Sequence, residues 1–145
     1  MHAGVEILLT DLLKKHFGYD SFLPQQEEVV ASVVASHDTL VLRPTGGGKS
    51  LCYQLPALAL DGMTLVVSPL IALMKDQVDA LLGNGILAAY INSTLSQIEM
   101  SDVQRRAFNG ELKILYAAPE RLALSTFRRF LQSVTLSLIA VDEAH

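Results

Sequence analysis

Short apolar runs alternate along this chain with longer stretches whose apolar residues recur at helical spacing. The runs predict five strands, at residues 39–42, 63–67, 86–91, 112–117 and 136–141. The intervening stretches predict helices at residues 5–16, 24–36, 49–59, 70–82, 96–108 and 119–131. Strands that alternate with helices are joined by crossover connections, which produce a parallel sheet. The pattern therefore predicts an α/β fold with a parallel β-sheet and helices on both faces.

Two polar motifs directly follow predicted strands of this sheet. A glycine-rich segment follows strand 39–42, and an Asp-Glu pair follows strand 136–141. Ligands of open parallel sheets bind at the carboxyl ends of the strands. Both motifs are therefore expected at the edge where a ligand would bind.

Composition narrows the class of protein. The chain has 145 residues, of which 50% are hydrophobic, enough for one domain with a sizeable core. The net charge of −4 means that any nucleic-acid contact is local. No apolar run has the ~18–20 residues of a membrane span. The N-terminus lacks a secretory signal, and Cys52 is the single cysteine. We expect a protein that is not secreted and is cytoplasmic, nucleoid-associated in a bacterium, or nuclear in a eukaryote.

The glycine-rich segment has the residues of a phosphate-binding loop, which read Thr45-Gly46-Gly47-Gly48-Lys49-Ser50. Glycines allow backbone N–H groups to converge on phosphate oxygens at a helix N-terminus. The Lys49 ammonium would contact the β and γ phosphates, and the Ser50 hydroxyl would bind Mg²⁺. Arg43 stands where the strict pattern has glycine, so this is a variant. The alternative is an ordinary glycine-rich turn.

The chain ends in Asp142-Glu143-Ala144-His145. Asp142 would hold Mg²⁺, largely through its waters. Glu143 would orient and deprotonate the attacking water, so Lys49, Asp142 and Glu143 are the candidate catalytic residues. His145 is a candidate for coupling nucleotide state to neighbouring elements. The alternative is a solvated turn, but the upstream phosphate loop favours an ATP and magnesium site.

These motifs resemble those of superfamily 2 helicases, and more closely those of the RecQ family of DNA helicases. The resemblance covers about residues 17–145, and five segments carry it: 17–26, 44–57, 67–78, 92–94 and 118–122. It implies that Gln26 reads the adenine edge and that Tyr19 packs against the base. The chain departs from the family at Leu23, where an arginine is usual, and at Arg43, where a methionine is usual.

The resemblance also implies a track for single-stranded DNA, with candidate contacts at Ser68, Pro69, Asn92, Ser93 and Arg121. The helix after Pro69 would add its N-terminal dipole. The alternatives are structural: Asn92 and Ser93 would cap the next helix.

Apolar residues beside the predicted track have a structural interpretation. Leu70, Leu73 and Met74 recur at helical spacing, which predicts that they belong to the core.

The resemblance implies an ATP-dependent 3′–5′ DNA helicase of recombination and repair, with ATP and Mg²⁺ as cofactors. Residues 1–145 would form one RecA-like phosphate-loop domain, the first helicase lobe, cut short after the Asp-Glu-Ala-His box. Residues 1–36 would be its N-terminal helices, with the adenine motif. The expected partners are single-stranded and forked DNA and a second RecA-like lobe, with no membrane.

The second lobe would supply arginines to the γ-phosphate, so the chain alone is expected to be nearly inactive. The alternatives are a non-motor nucleotide-binding module or remnant, and a small-molecule kinase.

Overall fold

A computed structural model describes residues 9–22, 30–31 and 51–141. Contacts within the chain define two compact units, Met1–Asp61 and Gly62–His145. The predicted strand 39–42 and most of the predicted helix 24–36 lie outside the described residues. Within the described ranges, no helix is long and apolar enough to cross a membrane.

The first unit begins with a helical segment that ends at a left-handed glycine. Residues 9–12 are α-helical and continue into a π-helical turn, Leu13–Phe17. Gly18 has a φ of 75°, and its N–H donates to the Lys14 carbonyl at 3.1 Å. Glycine adopts this conformation without the steric cost that a Cβ adds, which explains why the helix ends there.

Helix α1, Leu51–Ala59, packs against the N-terminal helical segment in the core of this unit. Its first seven residues are all buried, including Cys52, which is 5% exposed. Leu51 and Leu55 share a cluster with Leu9, Leu13 and Val30. An apolar helix with no polar face is stable only when it is covered on several sides.

The second unit contains a four-stranded sheet in which every described pairing is parallel. Its elements are β1 Met63–Val67, α2 Ile71–Gly83, β2 Ala88–Ile91, α3 Gln97–Phe108, β3 Ile114–Ala117, α4 Ser125–Gln132 and β4 Leu136–Val141. The strand order is β2-β3-β1-β4, so neighbours in the sheet are not neighbours along the chain. The predicted parallel α/β fold is confirmed, and β1 and β4 have the predicted bounds.

Strand β1 pairs on both sides. Leu65 lies opposite Leu115 of β3 and opposite Ile139 of β4. All five residues of β1 are buried, as expected for a central strand of a parallel sheet.

Helices cover both faces of the sheet. Val103 and Ala107 of α3 and Phe127 of α4 pack in one cluster with Leu65 and Leu115. On the opposite face, α2 contacts the sheet through Gln77, whose Oε1 accepts a hydrogen bond from the Tyr116 hydroxyl at 3.3 Å. The predicted covering of both faces is therefore confirmed over β2 and β3.

Strand β4 is less buried than its apolar sequence predicts. Ile139 and Val141 are 59% and 65% exposed, and they share a face with Leu65 and Val67 of β1. Only Leu136 of β4 packs against the cluster under α3 and α4. The expectation of a buried strand before the Asp-Glu pair was wrong, because β4 is the last strand in the described order and has one described neighbour.

The predicted helix 119–131 is two elements. Pro119–Ala123 is a 3₁₀ helix, and α4 begins at Ser125 after Leu124 takes an extended conformation, with φ −86° and ψ 124°. The Arg128 guanidinium donates to the Leu122 carbonyl at 2.7 Å and bridges the break. Phe127, Phe130 and Leu131 recur at helical spacing on α4. They form one apolar stripe that packs against the core.

A capping box starts α3. The Ser96 Oγ accepts the Glu99 N–H at 3.1 Å, and Glu99 Oε1 accepts the Ser96 N–H at 2.9 Å. The amide of Ser96, and then its hydroxyl, hold the pKa of Glu99 below its ordinary value. Two N–H groups at the helix start are thereby satisfied by side chains.

Gly62 lies where any side chain would strike the backbone. Its φ is 90°, and a Cβ would lie 2.8 Å from the Thr135 carbonyl oxygen, which also accepts the Met63 N–H. We predict that Gly62→Ala lowers the free energy of unfolding, measured by urea denaturation, by more than Gly85→Ala. Gly85 has a φ of 78° but open space around it, so its variant isolates the backbone cost of ~1–2 kcal/mol. Equal losses would contradict the predicted clash.

The low pKa of Glu99 makes the stability of α3 depend on pH. A carboxyl whose pKa is lowered on folding stabilises the protein above its unfolded pKa, near 4.5, and loses that contribution as pH falls through the folded pKa. We predict that Glu99→Gln is less stable than wild type at about pH 7, and that the difference shrinks below about pH 4.5. Urea unfolding across that range tests this, with Glu111→Gln as control. A difference that stays constant into acid would refute it.

Candidate functional site

Most residues of the predicted nucleotide and magnesium site lie outside the described residues: Gln26, Thr45, Gly46, Gly47, Gly48, Lys49, Ser50, Asp142, Glu143 and His145. The described part begins again one residue after Ser50, at α1, and ends one residue before Asp142, at β4. Among described residues, no group of three or more His, Cys, Asp or Glu side chains could hold a metal. The predicted roles of these residues stay predictions.

Tyr19, the predicted adenine contact, is described and is 58% exposed. It lies between Phe17 and Phe22, which are partly buried against the cluster that contains Leu51 and Leu55. The turn that carries Tyr19 is therefore anchored beside α1, the helix that follows the predicted phosphate loop in sequence. Anchored flanks with an exposed ring suit a residue that stacks on a planar ligand.

The candidate nucleic-acid residues of the second unit follow β1, β2 and β3. Ser68 follows β1, Asn92 follows β2, and Ala118 follows β3. The Ser68 N–H donates to the Ala117 carbonyl at 3.0 Å, which continues the β1–β3 pairing past the end of β1. Because the three strands are parallel neighbours, their following loops share one edge, here called the carboxyl edge.

Ser68 is turned inward at this edge. The residue is 5% exposed, and its Oγ accepts the Leu70 N–H at 3.2 Å. The amides of Ile71 and Leu73 also have carbonyl partners, at 3.1 Å each. These contacts reduce the number of N–H groups that the start of α2 can offer to a phosphate.

Asn92 is buried more deeply, at 1% exposure. Its Oδ1 accepts hydrogen bonds from the Thr94 N–H, at 2.9 Å, and from the Thr94 hydroxyl. Its Nδ2 donates to the Met74 Sδ at 3.5 Å. Ser93, by contrast, is exposed. The alternative that Asn92 or Ser93 caps α3 was wrong, since Ser96 does so.

Arg121 is the predicted cation of the track. It lies in the 3₁₀ helix after β3, is half-buried, and follows the exposed Pro119 and Glu120. Within residues 51–141 the ion pairs join Lys75 to Asp79 and join Arg105 and Arg106 to Asp102, so Arg121 is in none of them. Among residues 51–141, no carboxylate forms an ion pair with its guanidinium.

Two leucines near this edge are more exposed than their helical spacing predicts. Leu70 and Leu73 are 39% and 48% exposed, whereas Met74 is 1% exposed and belongs to the core as predicted. Pro69, which precedes them, is exposed as well. Thr94 lies in the segment 92–94 that carries the resemblance but was not among the candidate contacts; the signal for its bond was Asn92, since asparagine side chains often bond the backbone two residues on.

The sequence of this chain matches a known protein family over most of its length. The family model for DEAD/DEAH box helicases matches residues 23–145, most of the chain. The chain is 50% identical over 135 residues to the ATP-dependent DNA helicase RecQ of Pasteurella multocida. It is also 50% identical over 135 residues to the RecQ helicase of Bacillus subtilis, and 48% identical over 143 residues to the ATP-dependent DNA helicase Q5 of Mus musculus.

The matches cover nearly all of this chain but a small part of each relative. They span 93% of this chain and 21% of the Pasteurella protein, and 92% of this chain and 14% of the mouse protein. Residues 23–145, which the family model matches, include the glycine-rich segment, the four described parallel strands and the Asp-Glu-Ala-His sequence, and this is consistent with a RecA-like α/β domain. The chain therefore belongs to the DEAD/DEAH box helicase family, and the resemblance to RecQ helicases is confirmed.

Proposed function

We propose that this chain is the ATP-binding lobe of a RecQ-type DNA helicase that moves 3′ to 5′ and acts in DNA recombination and repair. One observation carries the proposal: the parallel pairing of β1, β2 and β3 brings Ser68, Ser93 and Arg121 to one edge. Strand β4, parallel to them, runs directly into Asp142 in the sequence. The names of the relatives, ATP-dependent DNA helicases, support the same activity.

In the proposed site, the phosphate loop from Gly46 to Ser50 holds the phosphates of ATP. Lys49 would neutralise the β and γ phosphates, Ser50 and Asp142 would hold Mg²⁺, and Glu143 would activate the attacking water. Magnesium would screen the developing charge on the transferred phosphoryl group.

The base would be held by Tyr19 and Gln26. Support comes from the packing of the first unit, in which the turn of Tyr19 is fixed against α1, the helix directly after Ser50 in sequence. A side-chain amide such as that of Gln26 both donates and accepts, which suits the edge of adenine. The coupling role of His145 and the extent of one domain over residues 1–145 belong to this proposal.

The carboxyl edge of the second unit would bind single-stranded DNA. Pro69 and Ser93 are exposed there, and Arg121 brings a charge that no carboxylate in residues 51–141 neutralises. Ser68 is a member of the predicted track whose side chain is buried. A chain with a net charge of −4 requires such local contacts, because its overall field repels DNA.

The whole protein would need more than this chain. We propose that a second RecA-like lobe completes the site with arginines and that forked DNA is its substrate. The place of action would be the nucleoid of a bacterium or the nucleus of a eukaryote.

We predict that Mg-ATP raises the melting temperature of the wild-type chain and that Lys49→Ala abolishes the increase. Ligand at ~100 times its dissociation constant stabilises the folded state by ~2.7 kcal/mol. For a domain of this size that corresponds to an increase of about 5–10 °C. Thermal unfolding followed by circular dichroism measures it.

Lys75→Ala is the matched control, since Lys75 is an exposed lysine paired with Asp79 on α2. It should keep the full Mg-ATP response. A response that survives Lys49→Ala, or that is lost in Lys75→Ala, would argue against phosphate binding by the glycine-rich loop.

We predict that Arg121→Gln weakens binding of the chain to a fluorescent oligothymidylate and flattens its salt dependence. Loss of one phosphate contact lowers the slope of log K against log salt by ~0.7 for single strands. Lys113→Gln is the charge-matched control, because Lys113 directly precedes β3 and so lies at the opposite edge of the sheet. Equal effects of the two variants would indicate a nonspecific charge effect instead of a track.

A further inference from the structure

The loop after β2 is fixed by hydrogen bonds that converge on one side chain. Asn92 Oδ1 accepts from both the N–H and the hydroxyl of Thr94, and the Asn92 carbonyl accepts the Leu95 N–H at 3.2 Å. The capping box of Ser96 and Glu99 follows at once. Local hydrogen bonds therefore connect the start of this loop at Asn92 to the first turn of α3 at Glu99.

The same side chain ties the loop to α2. Asn92 Nδ2 donates to the sulfur of Met74, which lies in the first turn of that helix and is itself 1% exposed. Helix α2 begins just after Ser68 and Pro69, the loop that follows β1. The amide of Asn92 thus connects the loop after β2 to the helix that follows the loop after β1.

The burial of Asn92 separates it from any ligand at that edge. Its residue is 1% exposed, and its oxygen and its amide nitrogen already have partners inside the protein. The Thr94 hydroxyl hydrogen is donated inward as well. Ser93 is exposed and lies between them, so its hydroxyl is a donor that this loop can offer to a phosphate oxygen.

We propose that Asn92 is a positioning residue of the single-strand track, which presets the loop so that Ser93 makes the contact. This inference rests on the proposed function, because it names how one part of the DNA track works. A loop that is already ordered loses less conformational freedom on binding than a loose one, and that difference appears as affinity. Asn92 itself makes no contact with DNA.

The test uses Thr94, because it is exposed and its substitution spares the buried Asn92. Thr94→Val keeps the size of the side chain but removes the hydroxyl donated to Asn92, whereas Thr94→Ser retains it. We expect Thr94→Val to weaken binding of oligothymidylate by about 2–10-fold, the effect of one hydrogen bond. Thr94→Ser should stay within about twofold of wild type, and Ser93→Ala should weaken binding as Thr94→Val does.

The salt dependence separates the loss of a neutral hydrogen bond from the loss of a charged phosphate contact. Thr94→Val should leave the slope of log K against log salt unchanged, while Arg121→Gln, measured beside it, lowers the slope by ~0.7. Equal weakening by Thr94→Val and Thr94→Ser would overturn the role of Asn92. So would a result in which Arg121→Gln weakens binding but either Thr94→Val or Ser93→Ala does not. If Arg121→Gln has no effect either, or wild type does not bind, the DNA track itself fails and this inference fails with it.

Discussion

The parallel pairing of β1 is the constraint on which the second unit depends. β1 forms parallel hydrogen bonds with β3 on one side and with β4 on the other, so all three strands run in the same direction. Parallel strands place their carboxyl ends together, so loops far apart in sequence share one edge. Ser68 and Ala118 lie side by side for this reason alone, and the hydrogen bond from Ser68 N–H to Ala117 shows the pairing continuing beyond the strand.

The ends of these strands create a second requirement. Backbone N–H groups that leave a sheet need new acceptors where water is excluded. Ser68 and Asn92 supply them, each accepting the N–H of the residue two positions on. Their side chains are thereby directed inward, and the neighbouring residues Pro69 and Ser93 face solvent. The proposed DNA-binding surface and the internal hydrogen bonds beneath it are thus formed by adjacent residues in the same loop.

Much of the fold was predictable from the sequence, because apolar runs mark buried strands directly. The runs 63–67 and 136–141 became β1 and β4 with unchanged bounds, whereas the runs 86–91 and 112–117 each began two residues too early. The exposure of β4 was not predictable, since burial of an apolar strand depends on what lies beside it. The break at Leu124 was missed because no proline or glycine marks it.

The site was predictable in residue type but not in orientation. Polar residues at strand ends indicated a ligand edge, and the motifs indicated which ligand, but a sequence does not say whether an asparagine points in or out. At the carboxyl edge, the direction of a side chain determines whether it can contact a ligand or only other groups of the protein. Within residues 51–141, Arg121 is the unpaired cation predicted for the track, on a chain with a net charge of −4. On the proposed function, binding there relies on neutral donors held in place beforehand, which is the role proposed for the inward side chain of Asn92.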